Sequence, residues 1–300
     1  MNKKILITGG SGFIGRSLIE HFNTECFFPL RKNIWAPNSK ELDLLDTAKV
    51  SEYLDRHKFD IIIHSATYDA VPDFSTKDVS VQLQNNLRMY FNLARHSDSY
   101  EKMIYFGSGA VYDREHLKSK MSEEYFDTHV PKDQYGFSKY IMSTHTNLSN
   151  NIYNLRIFGV FGQFDDWRYR FISNACAKAA LGMPITIKQN VFFDYVYVKD
   201  LCRMVQWLID NDSETKIMNA SSGNPVDYIS IANAIREISG KDLEILIEKK
   251  GLRQEYSGTN HLIVDTMKDF SYTDIEDALC EMYEWYKTHS HLLMVEHFAY

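Results

Sequence analysis

The fold of this chain is decided by one stretch near its N-terminus, TGGSGFIG at residues 8–15. The stretch follows an apolar run at residues 5–7 and leads into an amphipathic segment at residues 16–22. A strand, a glycine turn and a helix in this order form a pyrophosphate site, because glycine lets the backbone come close and the helix start offers unpaired N–H groups. The glycine spacing predicts a dinucleotide-binding turn, with an ordinary glycine loop as the alternative.

Predicted strands and helices alternate through the rest of the N-terminal half. Strands are expected near residues 25–31, 60–66, 102–107 and 153–157, with a short further element at 41–46, and helices near 47–57, 79–96 and from 135 onward. This order predicts an α/β fold, a Rossmann-type doubly wound parallel sheet.

The second half is expected to form a smaller α/β substrate-binding domain. Beyond about residue 158 the alternation weakens and aromatic residues accumulate, and a docked helix is expected at 275–286. Such a part caps the carboxyl ends of the strands, where ligands bind in these sheets. We predict a nucleotide-binding domain at residues 1–157 together with about 190–215, and a substrate-binding domain at 158–189 and 216–300.

The composition argues against several classes of function. The net charge is -7 and no long basic run is present, which argues against nucleic-acid binding. No apolar stretch reaches membrane-spanning length and the N-terminus lacks the layout of a signal peptide, so we expect a cytoplasmic protein without a membrane partner. The four cysteines are widely spaced and form no metal-binding pattern, so no metal site is expected.

A tyrosine and a lysine four residues apart, Tyr135 and Lys139, are the candidate catalytic pair. On a helix this spacing places both on one face. An ammonium beside a phenol favours the phenolate, so the pKa of Tyr135 is expected to fall and to make it a proton donor near neutral pH. Ser108, just past a predicted strand, is expected to hydrogen-bond a substrate carbonyl oxygen. His64, on a buried strand, is expected to be a hydrogen-bonded core residue rather than a catalyst.

With these motifs the chain resembles the extended short-chain dehydrogenase/reductase family, in its nucleotide-sugar branch. The matching segments include residues 8–15, 41–46, 63–66, 106–112, 135–139, 155–162 and 194–201. The resemblance implies hydride exchange between a nicotinamide and a sugar carbon, with Tyr135 as acid/base, Lys139 bound to the ribose and Ser108 holding the reacting oxygen. It also implies a nucleotide-diphosphate sugar as the substrate and a homodimer.

The choice of cofactor depends on the residues after the second predicted strand. An acidic residue there binds the ribose 2′-hydroxyl of NAD. This chain has Arg31 and Lys32 instead, and their charges favour the 2′-phosphate of NADP(H); a solvated pair of loop cations is the alternative. The remaining cofactor contacts implied by the resemblance are Gly9, Ser11, Gly12, Phe13, Ile14, Gly15, Asp43, Leu44, Ser65, Ala66, Tyr135, Lys139 and Phe158. Asn86 matches a family asparagine, with a packing role as the equal alternative.

Catalytic residues of related enzymes that are missing from this chain narrow the set of possible reactions. The 4,6-dehydratases of this family have Thr-Asp-Glu where this chain has Ser108, Gly109 and Ala110, so both acids of the dehydration are missing. The closest pattern is that of the GDP-fucose synthases, whose epimerisation pair, a cysteine and a histidine, corresponds to Ala110 and Phe164 here. Neither side chain carries a transferable proton. The resemblance implies NADPH-dependent reduction of the C4 ketone of a GDP-, CDP- or dTDP-linked 4-keto-deoxy sugar or heptose, without C3/C5 epimerisation.

Two other functions stay open at this point. The first is an NAD-dependent nucleotide-sugar C4 epimerase, and the second is a cofactor-binding regulator that no longer catalyses. On the substrate side, the expected contacts are Ser108, Gly109, Lys188 and Arg253. Lys188 and Arg253 are proposed because Phe193 stands where the family usually has an arginine for a phosphate; plain surface charges are the alternative.

Overall fold

The computed structural model describes residues 3–23, 33–70 and 74–298 of the chain. Its strands, in chain order, are β1 Ile5–Thr8, β2 Ile34–Trp35, β3 Ile61–His64, β4 Lys102–Ser108, β5 Ile152–Ile157, β6 Gly159–Phe161, β7 Ile185–Asn190, β8 Phe192–Phe193, β9 Tyr195–Tyr197, β10 Ile217–Ala220, β11 Val226–Asp227 and β12 Ile245–Leu252. Its α-helices are α1 Phe13–Phe22, α2 Thr47–His57, α3 Gln82–Ala94, α4 Gln134–Leu148, α5 Phe171–Leu181, α6 Val198–Asp210, α7 Tyr228–Ser239, α8 His261–Thr266 and α9 Ile275–Thr288.

Six of the described strands form one parallel sheet in the order β10-β5-β4-β3-β1-β2. Every residue of β1, β3 and β4 is buried. A parallel sheet covered by helices on both faces needs such continuously apolar strands, and the run of isoleucines at 61–63 meets that need. The predicted Rossmann-type sheet is confirmed.

Some predicted elements of the N-terminal half differ in detail. Residues 41–46 form a turn rather than a strand, because their hydrogen bonds are local: the Leu45 N–H donates to the Asp43 carboxylate at 2.9 Å. The strand predicted at 25–31 lies outside the described residues. Among the described strands, β2 and β3 pair with β1. The helix predicted at 79–96 begins with a 3₁₀ turn, Val79–Val81, before α3.

The strand order reverses between β1 and β3. The chain leaves β1 for β2 on one side and later returns to β3 on the other side. In open α/β sheets, ligands bind at such a point, outside the carboxyl ends of the strands. The glycine turn follows β1 and Ser65 follows β3, and the two segments meet where the Ser65 N–H donates to the Thr8 carbonyl at 3.2 Å. This edge is therefore the expected place for a dinucleotide.

The second half of the chain builds a separate apolar core. Helices α5, α7 and α9 contribute Cys176, Ile235 and Leu279 to one buried cluster, beside the two-stranded pair β7–β12. The strand β10 pairs with β5 in the main sheet, so Ile217–Ala220 belong to that sheet. The division into a nucleotide-binding and a substrate-binding domain stays a prediction. None of the helices in the described ranges combines the length and the apolar composition that crossing a membrane needs.

Candidate active site

The glycine turn forms a tight cradle at the start of α1. Gly9 has a φ of +70°, and a Cβ there would lie 2.6 Å from the Ala66 amide nitrogen. A Cβ at Gly15 would lie 2.2 Å from the Gly9 carbonyl oxygen. Gly12 is the N-cap of α1 and offers no side chain to cap it, and the first turn of α1 has no acidic residue. The positive end of this helix is thus open to an anion, and the turn fits a dinucleotide pyrophosphate.

Gly9→Ala is expected to destabilise the fold more than the same change at Gly182. Gly182 ends α5 with a φ of +73°, but no atom lies within 4 Å of its would-be Cβ. Both changes carry the left-handed backbone penalty of about 1–2 kcal/mol. Only Gly9→Ala adds overpacking of about 1–3 kcal/mol and closes the cradle to NADP⁺. Urea unfolding and NADP⁺ titration of both variants check this; equal losses of stability and unchanged NADP⁺ affinity would contradict it.

Three residues that match family positions, Asp43, Leu44 and Asn86, have structural roles here. One Asp43 oxygen accepts from the Leu45 N–H, and Leu44 is 8% exposed within the core around Val50. The Asn86 amide holds the loop after β3, accepting from the Tyr68 N–H at 2.7 Å and donating to its carbonyl at 3.2 Å. Asn86 therefore has a structural role, because its side chain holds this loop by hydrogen bonds. The cofactor contacts predicted for Asp43 and Leu44 stay predictions, and Arg31 and Lys32 lie outside the described residues.

Ser108 is the last residue of β4 and the N-cap of a short 3₁₀ turn. Its hydroxyl accepts from the Ala110 N–H at 3.2 Å, which fixes its rotamer. Just after β5, the Phe158 ring packs between two glycines, because a Cβ at Gly109 or Gly258 would lie 2.6 Å or 2.4 Å from it. The Phe158 ring therefore packs against the turn that carries Ser108. The cofactor contact predicted for Phe158 stays a prediction.

Tyr135 and Lys139 lie on the first turns of α4. Asp133 caps this helix by accepting from the Gly136 N–H at 2.8 Å. The Lys139 ammonium lies 5.6 Å from the centre of the Tyr135 ring and donates to the Phe106 carbonyl at 2.9 Å. The predicted placement of both residues on one helix face agrees with this geometry. Burial lowers the pKa of Lys139 to about 8, and the charge of Asp69 partly opposes it.

The predicted fall in the pKa of Tyr135 is wrong. Burial raises this pKa, and the negative charge of Asp69 raises it further. The nearby Ser108 hydroxyl and the charge of Arg170 act in the opposite direction without outweighing burial. Helical spacing identifies the neighbouring ammonium, but it says nothing of the desolvation that dominates here. In this structure Tyr135 is therefore a neutral acid at physiological pH.

His64 is a core residue, as predicted. It is 5% exposed, and its Nδ1 shares a hydrogen bond of 2.8 Å with the Thr8 hydroxyl. Burial lowers the pKa of His64 to about 3, and the nearby Lys139 charge adds to the effect. The imidazole is therefore neutral at physiological pH. In the three described ranges, no cluster of histidine, cysteine or acidic side chains has the arrangement to hold a metal ion.

A second tyrosine, Tyr256, approaches the serine from the C-terminal half. Its hydroxyl lies 3.5 Å from the Ser108 hydroxyl, although 148 residues separate the two in sequence. Charged groups also surround the reacting region: Asp69 pairs with Arg170 at 3.4 Å, and the charges of both, with that of Arg114, act on Tyr135. None of these residues was predicted as part of the catalytic centre. No sequence motif marks them, and Tyr256 lies beside Ser108 only in the folded chain.

The predicted substrate contacts fall into two groups. Ser108 and Gly109 lie at the catalytic centre, whereas Lys188 and Arg253 lie on and after the β7–β12 pair and are exposed. The Arg253 N–H donates to the Asn190 carbonyl at 2.9 Å, which holds its backbone beside β7. The phosphate contacts predicted for Lys188 and Arg253 stay predictions.

Similar proteins share this architecture over nearly their whole length. An ADP-L-glycero-D-manno-heptose-6-epimerase from Brachyspira hyodysenteriae is 22% identical over 278 residues, covering 84% of this chain and 86% of the relative. A GDP-6-deoxy-D-talose 4-dehydrogenase from Aggregatibacter actinomycetemcomitans is 25% identical over 296 residues, covering 94% and 97%. The structure of MlghC, a GDP-mannoheptose C4 reductase from Campylobacter jejuni with NADP bound, has a TM-score of 0.79 at 19% identity, covering 95% and 98%.

The family match covers the glycine turn, the serine turn and the tyrosine–lysine pair together. A model described as the NAD dependent epimerase/dehydratase family matches residues 5–221 of this chain. The match confirms the predicted resemblance to the extended short-chain dehydrogenases and the interpretation of the chain as an enzyme that uses a nicotinamide dinucleotide. The chain is a member of the NAD dependent epimerase/dehydratase family.

Proposed function

We propose that this enzyme reduces the C4 ketone of a nucleotide-activated 4-keto-deoxy sugar or heptose with NADPH, without epimerising C3 or C5. The observation that carries the proposal is that the start of α4 packs on the serine turn after β4. A Cβ at Gly136 would lie 2.9 Å from the Ala110 carbonyl oxygen, and the Lys139 ammonium, 5.6 Å from the Tyr135 ring centre, donates to the Phe106 carbonyl on β4. Hydroxyl donors such as those of Ser108 and Tyr135 suit a carbonyl oxygen that gains negative charge. The relatives named as a 4-dehydrogenase and a C4 reductase support the choice of C4.

The proposed role of each residue follows from its protonation state and its position. When bound, the nicotinamide supplies a hydride to C4 of the sugar. Ser108 holds the carbonyl oxygen by hydrogen bonding, and Tyr135, a neutral acid, donates the proton that completes the alcohol. Lys139 holds the ribose and presents a positive charge to the Tyr135 ring as the phenolate forms.

The proposal excludes epimerisation because no proton-transfer pair occupies the corresponding positions. Ala110 is fully buried and carries only a methyl group. The Phe164 ring packs under the Arg16 guanidinium at 4.0 Å and against Trp285. Neither side chain can take a proton from C3 or C5. A relative named as a heptose-6-epimerase shows that similar proteins include epimerases, so the experiment must separate epimerisation from reduction.

The test uses purified 4-keto-6-deoxy sugars on GDP, CDP and dTDP, prepared in H₂O and transferred to D₂O with NADPH and the enzyme. Reduction predicts one NADPH consumed per product, a C4 alcohol, and no deuterium on C3 or C5 beyond the enzyme-free blank. Deuterium on C3 or C5 would show epimerisation. Interconversion of C4-epimeric nucleotide sugars with no net use of cofactor would establish the C4 epimerase instead.

The choice of NADPH rests on Arg31 and Lys32. We expect both cations to contribute to binding of the 2′-phosphate, and losing both is expected to weaken NADPH binding by about 2 kcal/mol, or about thirtyfold. The double variant Arg31→Ala with Lys32→Ala should therefore lose affinity for NADPH and keep its affinity for NADH. Titration of both cofactors measures this. Equal weakening of NADPH and NADH binding would show that Arg31 and Lys32 do not recognise the 2′-phosphate.

Two further parts of the proposal concern organisation. The enzyme would consist of a cofactor domain centred on the six-stranded sheet and a substrate domain centred on the second apolar core. It would act as a homodimer, as the family resemblance implies. Light scattering at several protein concentrations tests the second point.

A further inference from the structure

Tyr256 reaches the catalytic centre from a different part of the chain than Ser108 and Tyr135. Its hydroxyl lies 3.5 Å from the Ser108 hydroxyl, and a Cβ at Gly109 would lie 2.8 Å from the same oxygen. A good O–H···O hydrogen bond is about 2.7–2.8 Å long. The contact between the two hydroxyls is therefore long and weak, and each hydroxyl keeps the capacity to bond an oxygen of a substrate.

The position of Tyr256 is fixed at both its backbone and its ring. Its N–H donates to the Phe192 carbonyl at 3.0 Å, and its carbonyl accepts from the Asp194 N–H at 3.0 Å. Its ring lies 5.1 Å from the Phe158 ring and 5.0 Å from the Phe193 ring, centre to centre. A hydroxyl held in this way is preorganised, so it loses little entropy when it binds a ligand.

The chemistry of Tyr256 suits a hydrogen-bond donor rather than a base. Burial raises the pKa of Tyr256 to about 12, while the hydrogen bond with Ser108 partly opposes that rise. The phenol keeps its proton at any physiological pH. It therefore has a donor to offer to a substrate oxygen.

We propose that Tyr256 is a specificity residue that binds the hydroxyl on C3, next to the ketone held by Ser108. This inference rests on the proposed function. Oxygens on neighbouring sugar carbons are close enough for each to bond a different one of the two protein hydroxyls, which lie 3.5 Å apart. In a 4-keto-6-deoxy sugar, C3 carries a hydroxyl, whereas C5 carries a methyl group. The enzyme therefore selects 3-hydroxy over 3-deoxy 4-keto sugars.

The test compares GDP-4-keto-6-deoxymannose with its 3-deoxy counterpart. If the enzyme binds CDP- or dTDP-linked sugars better, the corresponding pair on that nucleotide is used. The wild type is expected to prefer the 3-hydroxy sugar by about tenfold in kcat/KM. Tyr256→Phe keeps the ring packing and removes only the hydroxyl, so the preference should disappear through a fall on the 3-hydroxy sugar alone. Tyr153→Phe is the matched control, because its hydroxyl bonds the Ser213 carbonyl at 3.0 Å and not Ser108.

A second readout separates this inference from the proposed reaction. The affinity of each sugar for the NADP⁺ complex is measured by calorimetry, which needs no turnover. If the wild type reduces neither sugar, the proposed reduction fails, while a tenfold affinity preference that Tyr256→Phe abolishes still supports the C3 contact. Equal effects of Tyr256→Phe on both sugars, in rate and affinity, would show that Tyr256 acts only by orienting Ser108 and would overturn the inference.

Discussion

Tyr135→Phe is expected to lower kcat/KM for ketone reduction by about 10²–10⁴ while leaving NADP⁺ affinity unchanged. The phenyl ring keeps its place on α4, with the Lys139 ammonium 5.6 Å over the ring centre. What is lost is the acidic hydroxyl, whose pKa is raised by burial. Stopped assays of NADPH oxidation with a 4-keto sugar, together with NADP⁺ titration, measure the two quantities separately.

The matched control for this variant lies one turn further along the same helix. Tyr140 carries a hydroxyl that donates to the Asp127 carboxylate, on the surface of the molecule. Tyr140→Phe makes the same chemical change on α4 and should leave kcat/KM within about twofold, as for surface substitutions in general. Wild-type rates in Tyr135→Phe would remove the assigned proton donor and with it the proposed mechanism.

Sequence patterns predicted the parts of the fold that local interactions determine. The helix expected at 47–57 is α2, with the same ends, because Asp46 accepts from the Ala48 and Lys49 N–H groups at 3.1 Å. The turn at 41–46 was mistaken for a strand, since its apolar leucines alternate as in a strand. Its backbone is instead held by the Asp43 side chain. Alternation reports burial, and a turn that buries leucines produces the same pattern.

The catalytic centre was predictable only in part, for a different physical reason. Ser108, Tyr135 and Lys139 belong to short motifs with recognisable spacing. Tyr256 has no such signal, because long-range pairing of its segment with β8 brings it to the serine. The pKa of Tyr135 was also mispredicted, since a neighbouring charge can be inferred from helical spacing but desolvation depends on the whole fold.

Lys139→Met is expected to lower kcat/KM by about 10²–10³, because it removes the preorganised charge beside the phenol and the predicted ribose contact. The pH profile distinguishes this role from a structural one. Since the pKa of Lys139 is about 8, its ammonium is present below that pH and is lost above it. The wild-type kcat/KM should therefore fall as the pH rises through about 8, and the methionine variant should lack this limb.

The same lysine should reduce the stability of the fold at neutral pH. Its pKa falls from 10.5 to about 8 on folding, so the unfolded chain binds the extra proton between these values and the stability of the wild type rises with pH in that window. Relative to Lys139→Met, the wild type should gain about 2–3 kcal/mol of unfolding free energy between pH 7 and pH 10. Urea unfolding of both proteins at the two pH values measures the difference, in which the titration of all other groups cancels. Parallel pH profiles would mean that Lys139 is not desolvated by folding, and the proposed origin of the kinetic limb near pH 8 would fail with it.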